Sequence, residues 1–385
     1  LGVRRQRQMC IRDRINAGPA ASDTLTKLVR ATGFPCTQTL MGLGAFPASD
    51  PLSLGMLGMH GMYEANLAMY HSDLIVCVGA RFDDRVTGRL DAFAPTAKKI
   101  HIDIDPSSIN KNVQVDLPIV GDCGRVLDDM LQGWQSRGLQ AKGQALAAWW
   151  KRISEWQTRD CLAYRQTPEI IKPQFALERL QAHLDKQSRP AFVTTEVGQH
   201  QMWAAQYLKF EDPNRWMTSG GLGTMGYGLP AAIGVQVAHP DALVVDVSGE
   251  ASFLMNMQEM STASQYSLPI KVFILNNEWM GMVRQWQELL HGGRYAESYT
   301  ASLPDFVKLA ESFGWTGIRA TTPGELDGAI EAMIKADGPV LADICIDKVE
   351  NCFPMIPSGA AHCDMLLGPE DEAERPISED GMVLV

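Results

Sequence analysis

Two residues with oxygen-bearing side chains define the chemistry open to this chain. Glu250 follows an apolar run at 243–247, and Asn277 follows another at 271–275. Runs of that length read as buried parallel strands. The stretch between them is long enough for a helix, so the region reads as a strand–helix–strand unit with both strand ends on one edge of a sheet. In open parallel sheets that edge is where ligands bind. A carboxylate and an amide oxygen side by side suit Mg²⁺, which takes hard oxygen ligands about 2.1 Å away and is often shared with substrate phosphates. Gly249 lets the main chain approach a diphosphate, and the amides opening the next helix favour its charge. The same residues have a plainer reading. Acids at strand ends cap helices, and Asn-Asn marks turns.

The surrounding elements must hold that pair in place. PQFALERLQAHL, from Pro173, is an amphipathic helix. AFVTTEVGQHQMWAAQ reads as a strand, a turn at Gly198 and a helix. SGGLGTMGYGLPAAIG reads as a glycine-rich loop feeding a helix, with Pro230 near its first turn. Dense glycine lets a main chain wrap a cofactor or pack tightly, and the pattern alone leaves both open. GPVLADICID at 338–347 is the last strand. Residues 173–350 thus read as one parallel α/β domain.

Residues 15–130 read as another. DTLTKLVRATG is a helix closed by Gly33. PCTQTLMGLGAFP is a strand entering a loop, and LGMLGMHGMYEANLAMYHSD is a run of small residues followed by a helix. DLIVCVGARFDDR is a buried strand ending at Gly79, and KKIHIDIDP is a strand ending in acids. Gly79-Ala80-Arg81 offers close backbone and a cation to a pyrophosphate; Asp103 and Asp105 can accept ribose hydroxyls. No GxGxxG is present, so a packed domain without a ligand stands beside the nucleotide reading. Asp84–Arg85 reads equally well as a surface ion pair. Residues 131–172 read as a helical linker whose Trp149-Trp150 pair packs on a domain surface. The fold class is therefore α/β, with two doubly wound parallel-sheet domains.

The first 14 residues, LGVRRQRQMCIRDR, hold five arginines and lack the apolar core of a signal peptide. They read as a segment foreign to the fold; a basic nucleic-acid tail and a transit remnant are the other readings. The acidic tail after residue 368 reads as mobile.

The 385 residues suffice for two or three domains, and 45% hydrophobic with 21% charged content is ordinary for a globular chain. A net charge of −11 gives nucleic-acid binding no electrostatic support. No apolar run approaches the ~20 residues of a membrane helix. The eight cysteines form no CxxC, and Cys77 and Cys345 lie in apolar strands. They read as buried thiols of a reducing, cytoplasmic compartment.

Gly249-Glu250 followed by Asn276-Asn277 at this spacing resembles the thiamine diphosphate motif. GEASF and NNEWMGMVRQWQ flank it, GMLGMHG and VGARFDDRVTG precede it, and NCFPMIPSGAAHCDMLLG follows. Over about 15–368 the chain is similar to the large catalytic subunit of the acetolactate (acetohydroxyacid) synthase family. The resemblance implies that 15–130 is a central flavin-binding-type domain and 173–350 the thiamine diphosphate domain. It makes 351–385 a C-terminal lid and acidic tail.

It implies FAD contacts at His60, Gly79, Ala80, Arg81 and Asp83, continuing through Arg85, Val86, Asp103, Ile104 and Asp122. It implies a thiamine site drawn from three stretches. The first two hold Val197, Gly198, Gln199, His200, Gly223 and Met225, then Gly249, Glu250, Ala251 and Ser252. The third holds Asn277, Trp279, Gly281, Met282 and Val283. Glu250, Asn277 and the backbone oxygen of Trp279 would hold Mg²⁺. Met225 would support the cofactor beneath its thiazolium, with Met282 and Trp286 as further catalytic candidates. Trp286 would favour the larger second substrate, against a plain packing role.

The implied reaction is carboligation. Pyruvate loses CO₂ on thiamine diphosphate, and the remaining two-carbon unit joins a second pyruvate or 2-ketobutyrate. The products, acetolactate and acetohydroxybutyrate, lead to valine, leucine and isoleucine. FAD would be structural. A homodimer or homotetramer and a small regulatory subunit are the implied partners. Two departures stand out. Glu250 occupies a position usually held by Asp, which moves the carboxylate by roughly one methylene against a cation that tolerates little distortion. The family's N-terminal domain, with the Glu that activates the aminopyrimidine, does not precede Ile15. The chain is therefore read as about the last two-thirds of a subunit, inactive alone. A pyruvate oxidase or glyoxylate carboligase type is one alternative, against which GMVRQWQ with Trp286 stands. A non-catalytic nucleotide-binding fragment is another.

Overall fold

The computed structural model describes residues 7–11, 19–141, 143–300 and 302–371. The chain forms two compact units. Unit one runs to Ala163 and adds Lys209–Asn214 and the segment from Phe353; unit two comprises Tyr164–Leu208 and Arg215–Cys352. Each is built on a six-stranded sheet.

Unit one holds β1 (Arg7–Ile11), β2 (Cys36–Gln38), β3 (Ser53–Met56), β4 (Leu74–Val78), β5 (Lys98–Asp103) and β6 (Leu117–Val120). Their order is β3-β2-β1-β4-β5-β6, and every pairing is parallel. Strand order therefore reverses beside β1, the topology that leaves a crevice at the carboxyl ends. Central β4 is almost wholly buried because helices cover both faces, which is why LIVCV is continuously apolar. The helix Pro19–Thr32 ends at Gly33, whose φ of +66° closes the last turn through its N–H to the Val29 carbonyl.

Three readings of the sequence meet a different arrangement here. Arg7–Ile11, within the segment read as foreign, pairs with β2 on one side and β4 on the other. Ladder hydrogen bonds come from the main chain and need no apolar period. The rest of residues 1–14 lies outside the described residues. The stretch read as a linker supplies the helix Gly143–Gln157, whose Trp149 and Ile153 join a core cluster with Ile75, Cys77 and Phe93. The segment from Phe353, read as a lid, is bonded into unit one: Ile356 N–H donates to the Met59 carbonyl at 2.8 Å.

Unit two holds β7 (Ala191–Thr195), β8 (Trp216–Met217), β9 (Leu243–Ser248), β10 (Lys271–Asn276), β11 (Thr316–Ala320) and β12 (Val340–Cys345). The order is β11-β12-β10-β9-β7-β8, again parallel throughout. The two apolar runs flanking the Glu250–Asn277 unit are the neighbours β9 and β10, at the centre of the sheet. All six residues of β9 are buried. No helix of the described residues is long and apolar enough to cross a membrane.

Candidate functional site

β10 pairs with β9 so that Ile274 lies beside Ser248. Glu250 is two residues beyond that point on one strand and Asn277 three beyond it on the next. The two oxygen-bearing side chains therefore leave adjacent strands at one sheet edge. β7 lies on the other side of β9 and delivers Glu196, Val197 and Gly198 to the same edge; Glu196 N–H donates to the Val247 carbonyl at 3.1 Å.

Glu250 is 1% exposed, and its Oε1 has no hydrogen-bond partner. Burial pushes its pKa up to about 7, against the pull of backbone amides that include those of Asn277 and Trp279. A buried carboxyl with an open oxygen is costly unless a cation completes it. Among the described residues no group of three or more His, Cys, Asp and Glu is placed to hold a metal. A cation here would rest on one carboxylate, an amide oxygen and main-chain oxygens, a donor set suited to Mg²⁺ rather than Zn²⁺. The residues present fit that ion.

Asn277 is buried, and its Oδ1 accepts the Trp279 N–H at 3.1 Å. Between them Glu278 sits at φ +61°, a backbone state that costs a non-glycine residue of order 1–3 kcal/mol and clusters at functional sites. Main-chain bonds pin this turn: Met280 N–H to the Ser298 carbonyl at 2.8 Å, and Thr300 N–H to the Glu278 carbonyl at 2.9 Å. The Trp279 ring packs between Tyr295 and Tyr299, at 5.7 and 4.9 Å.

The other expected thiamine residues fall in four sets. Val197, Gly198, Gln199 and His200 open the helix Gln199–Tyr207. His200 is buried, its pKa pushed down to about 3, so it is neutral. A Cβ on Gly249 would lie 2.5 Å from His200 Nδ1, which explains glycine there. Ala251 and Ser252 follow Glu250 in a single helical turn. Gly281, Met282, Val283 and Trp286 lie on the helix Gly281–Leu290, with Val283 exposed and Trp286 half-buried. Gly223 is exposed, and Met225 is half-buried just before the helix Gly228–Ala238.

Sequence reasoning missed Glu196 and Asp246. Both are fully buried. Glu196 accepts from Gly226 N–H at 2.6 Å, Leu229 N–H at 3.2 Å and Ser252 Oγ at 2.7 Å. It is the anchor of the glycine-rich loop. Asp246 accepts from Thr194 Oγ1 at 2.9 Å and Ser248 Oγ at 2.6 Å. Burial raises both carboxyls, and the Glu196 charge raises Asp246 further. The available signal was an acid inside or ending an apolar strand, the same signal that exposed Glu250.

In unit one, the strand ends of β4, β5 and β6 carry Gly79-Ala80-Arg81, Asp103-Ile104 and Asp122 in series. Gly79 has φ +68°, and Ile104 is exposed. Several of the expected contacts have partners within the protein. Arg81 pairs with Asp83, which also caps Asp84–Thr87 through Arg85 N–H. Asp103 is fully buried and accepts the Asp105 N–H at 2.8 Å. Asp122 caps the helix Cys123–Ser136. Arg85 pairs with Asp84 in solvent at 3.0 Å. His60 Nδ1 is 3.0 Å from the Pro354 carbonyl, and the Val86 carbonyl accepts His362 Nε2 at 2.8 Å.

Comparison with known proteins agrees with this division. The thiamine pyrophosphate enzyme central-domain family matches residues 14–130, and the thiamine pyrophosphate enzyme C-terminal TPP-binding domain matches 196–344. The acetolactate synthase large subunit of Haemophilus influenzae is 47% identical over 353 residues, covering 91% of this chain and 61% of that protein. The isozyme 3 large subunit of Escherichia coli is 48% identical over 89% of this chain and 60% of its own length. The acetolactate synthase large subunit of Cyanidium caldarium is 46% identical over 90% of this chain and 58% of its own length. The chain thus spans about 60% of the length of the curated relatives it matches. It belongs to the thiamine pyrophosphate enzyme family, as a homologue of the acetolactate synthase large subunits.

Proposed function

We propose that this chain carries the diphosphate- and metal-binding half of an acetolactate synthase. On this reading Glu250, Asn277 and the Trp279 carbonyl hold Mg²⁺, and the ion holds the diphosphate of thiamine diphosphate. Thiamine diphosphate, when bound, supplies the electron sink for decarboxylating a 2-ketoacid. The chain's own residues bind and orient. The Gly226–Leu229 turn is held by Glu196, so that Met225 and the helix behind it keep one position. His200, neutral at working pH, fills the floor beneath Gly249. Met282, Val283 and Trp286 face the substrate from one helix, and Trp286 favours 2-ketobutyrate over pyruvate as the second ketoacid.

The single observation carrying this reading is the buried, unpartnered Glu250 Oε1 beside Asn277 at the carboxyl ends of two adjacent strands. FAD binding at the β4–β6 edge of unit one is the finer proposal there, resting on the resemblance and on the series Gly79, Ile104 and Asp122. Homodimerisation, a small regulatory subunit and a reducing cytoplasmic setting complete the reading. The last is supported by the free thiols of Cys161, Cys345, Cys352 and Cys363. Calorimetric titration with thiamine diphosphate, with and without Mg²⁺, tests the core of it. Mg²⁺-dependent binding that disappears in Glu250→Ala is expected; equal affinity in parent and variant would refute the metal assignment.

A further inference from the structure

A buried amide side chain can sit either way round, because its oxygen and its NH₂ group are nearly equal in size. Three amides in unit two have no such freedom. Cys352 N–H donates to Gln285 Oε1 at 2.7 Å, and Gln285 Nε2 donates to the Cys352 carbonyl at 3.1 Å. A backbone N–H only donates and a carbonyl only accepts, so Gln285 has one orientation. Its Oε1 also accepts Gln199 Nε2 at 2.8 Å, and the Glu350 carbonyl accepts the same nitrogen at 3.0 Å. Gln199 Oε1 therefore faces away from them, where it accepts Asn277 Nδ2 at 3.3 Å. Asn277 is left with Oδ1 turned toward the Trp279 N–H, one of the amides that also face the Glu250 carboxyl.

Gln199, Asn277 and Gln285 are 2%, 4% and 0% exposed, so water does not stand in for a missing partner. The path also explains Gly281. A Cβ there would fall 2.1 Å from Gln199 Oε1 and 2.9 Å from Asn277 Nδ2.

We propose that Gln285 is a positioning residue for the metal site. Through Gln199 it carries the fixed polarity of the Cys352 main chain to Asn277 and sets that amide oxygen-first toward the cation. Turned over, Asn277 would present an NH₂ group, which repels a cation instead of ligating it. The inference rests on the metal–diphosphate reading of Glu250 and Asn277. Partners of this kind, one bond removed from a ligand, typically change metal affinity by about 10- to 100-fold.

The test is Mn²⁺ binding to the chain with excess thiamine diphosphate, followed by the loss of the free-ion paramagnetic resonance signal. Gln285→Met removes every hydrogen-bonding group and is expected to weaken Mn²⁺ about tenfold or more. Gln285→Glu keeps an acceptor for Cys352 N–H and for Gln199, so it is expected to bind within about threefold of the parent. Its carboxylate meets the Cys352 carbonyl, so its melting temperature falls too. An affinity loss confined to Gln285→Met, with both variants destabilised, separates orientation from mere packing. Parent-like binding by Gln285→Met, or an equal loss in both variants, overturns the proposal. If Gln285→Met does not fold, a tenfold loss in Gln285→Glu overturns it as well. Parent-like binding by Glu250→Ala would place the failure in the metal site itself rather than in the relay.

Discussion

Glu196 accepts the Gly226 N–H at 2.6 Å, and so fastens the glycine-rich loop to the end of β7. Glu196→Ala would leave the Leu229 N–H and the Ser252 hydroxyl without that acceptor, and the Gly226 N–H with only its longer bond to Ser252 Oγ at 3.3 Å. A loss of about 3 kcal/mol in denaturant unfolding is expected, since each stranded buried donor costs about 1–3 kcal/mol and the loop can relax part of the way. Glu196→Gln keeps one acceptor oxygen and should cost less than half as much. Equal stability of the parent and the Ala variant would remove Glu196 from the loop's support.

Gly281 opens a helix in which alanine is the better former by up to about 1 kcal/mol. Gly281→Ala also drives a methyl group against Gln199 Oε1, the movable end of a side chain. The fold should therefore survive while the Asn277–Gln199 bond does not. The expected result is a melting temperature within about 4 °C of the parent. Mn²⁺ affinity in the presence of thiamine diphosphate should fall about tenfold. A parallel loss of both would point to general disruption instead.

His362 gives unit one a pH dependence. Burial lowers its pKa from 6.5 to about 4, against the raising effect of its bond to the Val86 carbonyl. The unfolded chain therefore takes up the proton first as pH falls. The stability contribution is complete above pH 6.5 and is lost between 6.5 and about 4. Its ceiling is about 3 kcal/mol at 1.36 kcal/mol per pKa unit. His362→Gln can still donate to Val86 without titrating, so its melting temperature should fall less between pH 7 and pH 4.5. His200 acts in the same direction in unit two, so some slope should remain.

Trp149 is 2% exposed, edge-on to Trp156 at 5.6 Å, and its Nε1 has no partner. Trp149→Ala should cost about 3–5 kcal/mol through the cavity it opens. Trp149→Phe leaves a smaller cavity and removes a stranded N–H, so its cost should be clearly lower. Chemical denaturation of the two variants makes the comparison.

Much of the site was legible because it lies where central strands end. β9 and β10 are continuous apolar runs, and residues just past them must point along the carboxyl edge. Glu250 and Asn277 could be placed from that logic alone. Glu196 escaped although the strand AFVTT before it was read, because nothing in the sequence shows its carboxylate turned to the Gly226 and Leu229 N–H groups far along the chain. β3, β6 and β11 were silent. SLGM is four residues long, LPIV carries a proline and is mostly exposed, and TGIRA is only partly covered. Edge strands need no apolar run, so the period that marks buried strands is absent. Asp103 was legible only in part, for a different reason. Sequence placed it at a strand end, but only coordinates could show its carboxylate turned inward to the Asp105 N–H. The amide relay was invisible because it joins residues far apart in the chain whose polarity is set by main-chain atoms.

Unit one is discontinuous in sequence. Its wall includes Phe210, whose carbonyl accepts the Ala48 N–H at 3.2 Å, and Glu211, which accepts from Ser49. It also includes Ile356, bonded to Met59. A ribosome delivers those pieces only after the intervening unit-two residues, so the earlier unit cannot complete its own surface when its sheet first emerges. Cutting the gene after Ala163 would isolate a sheet without its flank rather than a self-sufficient module.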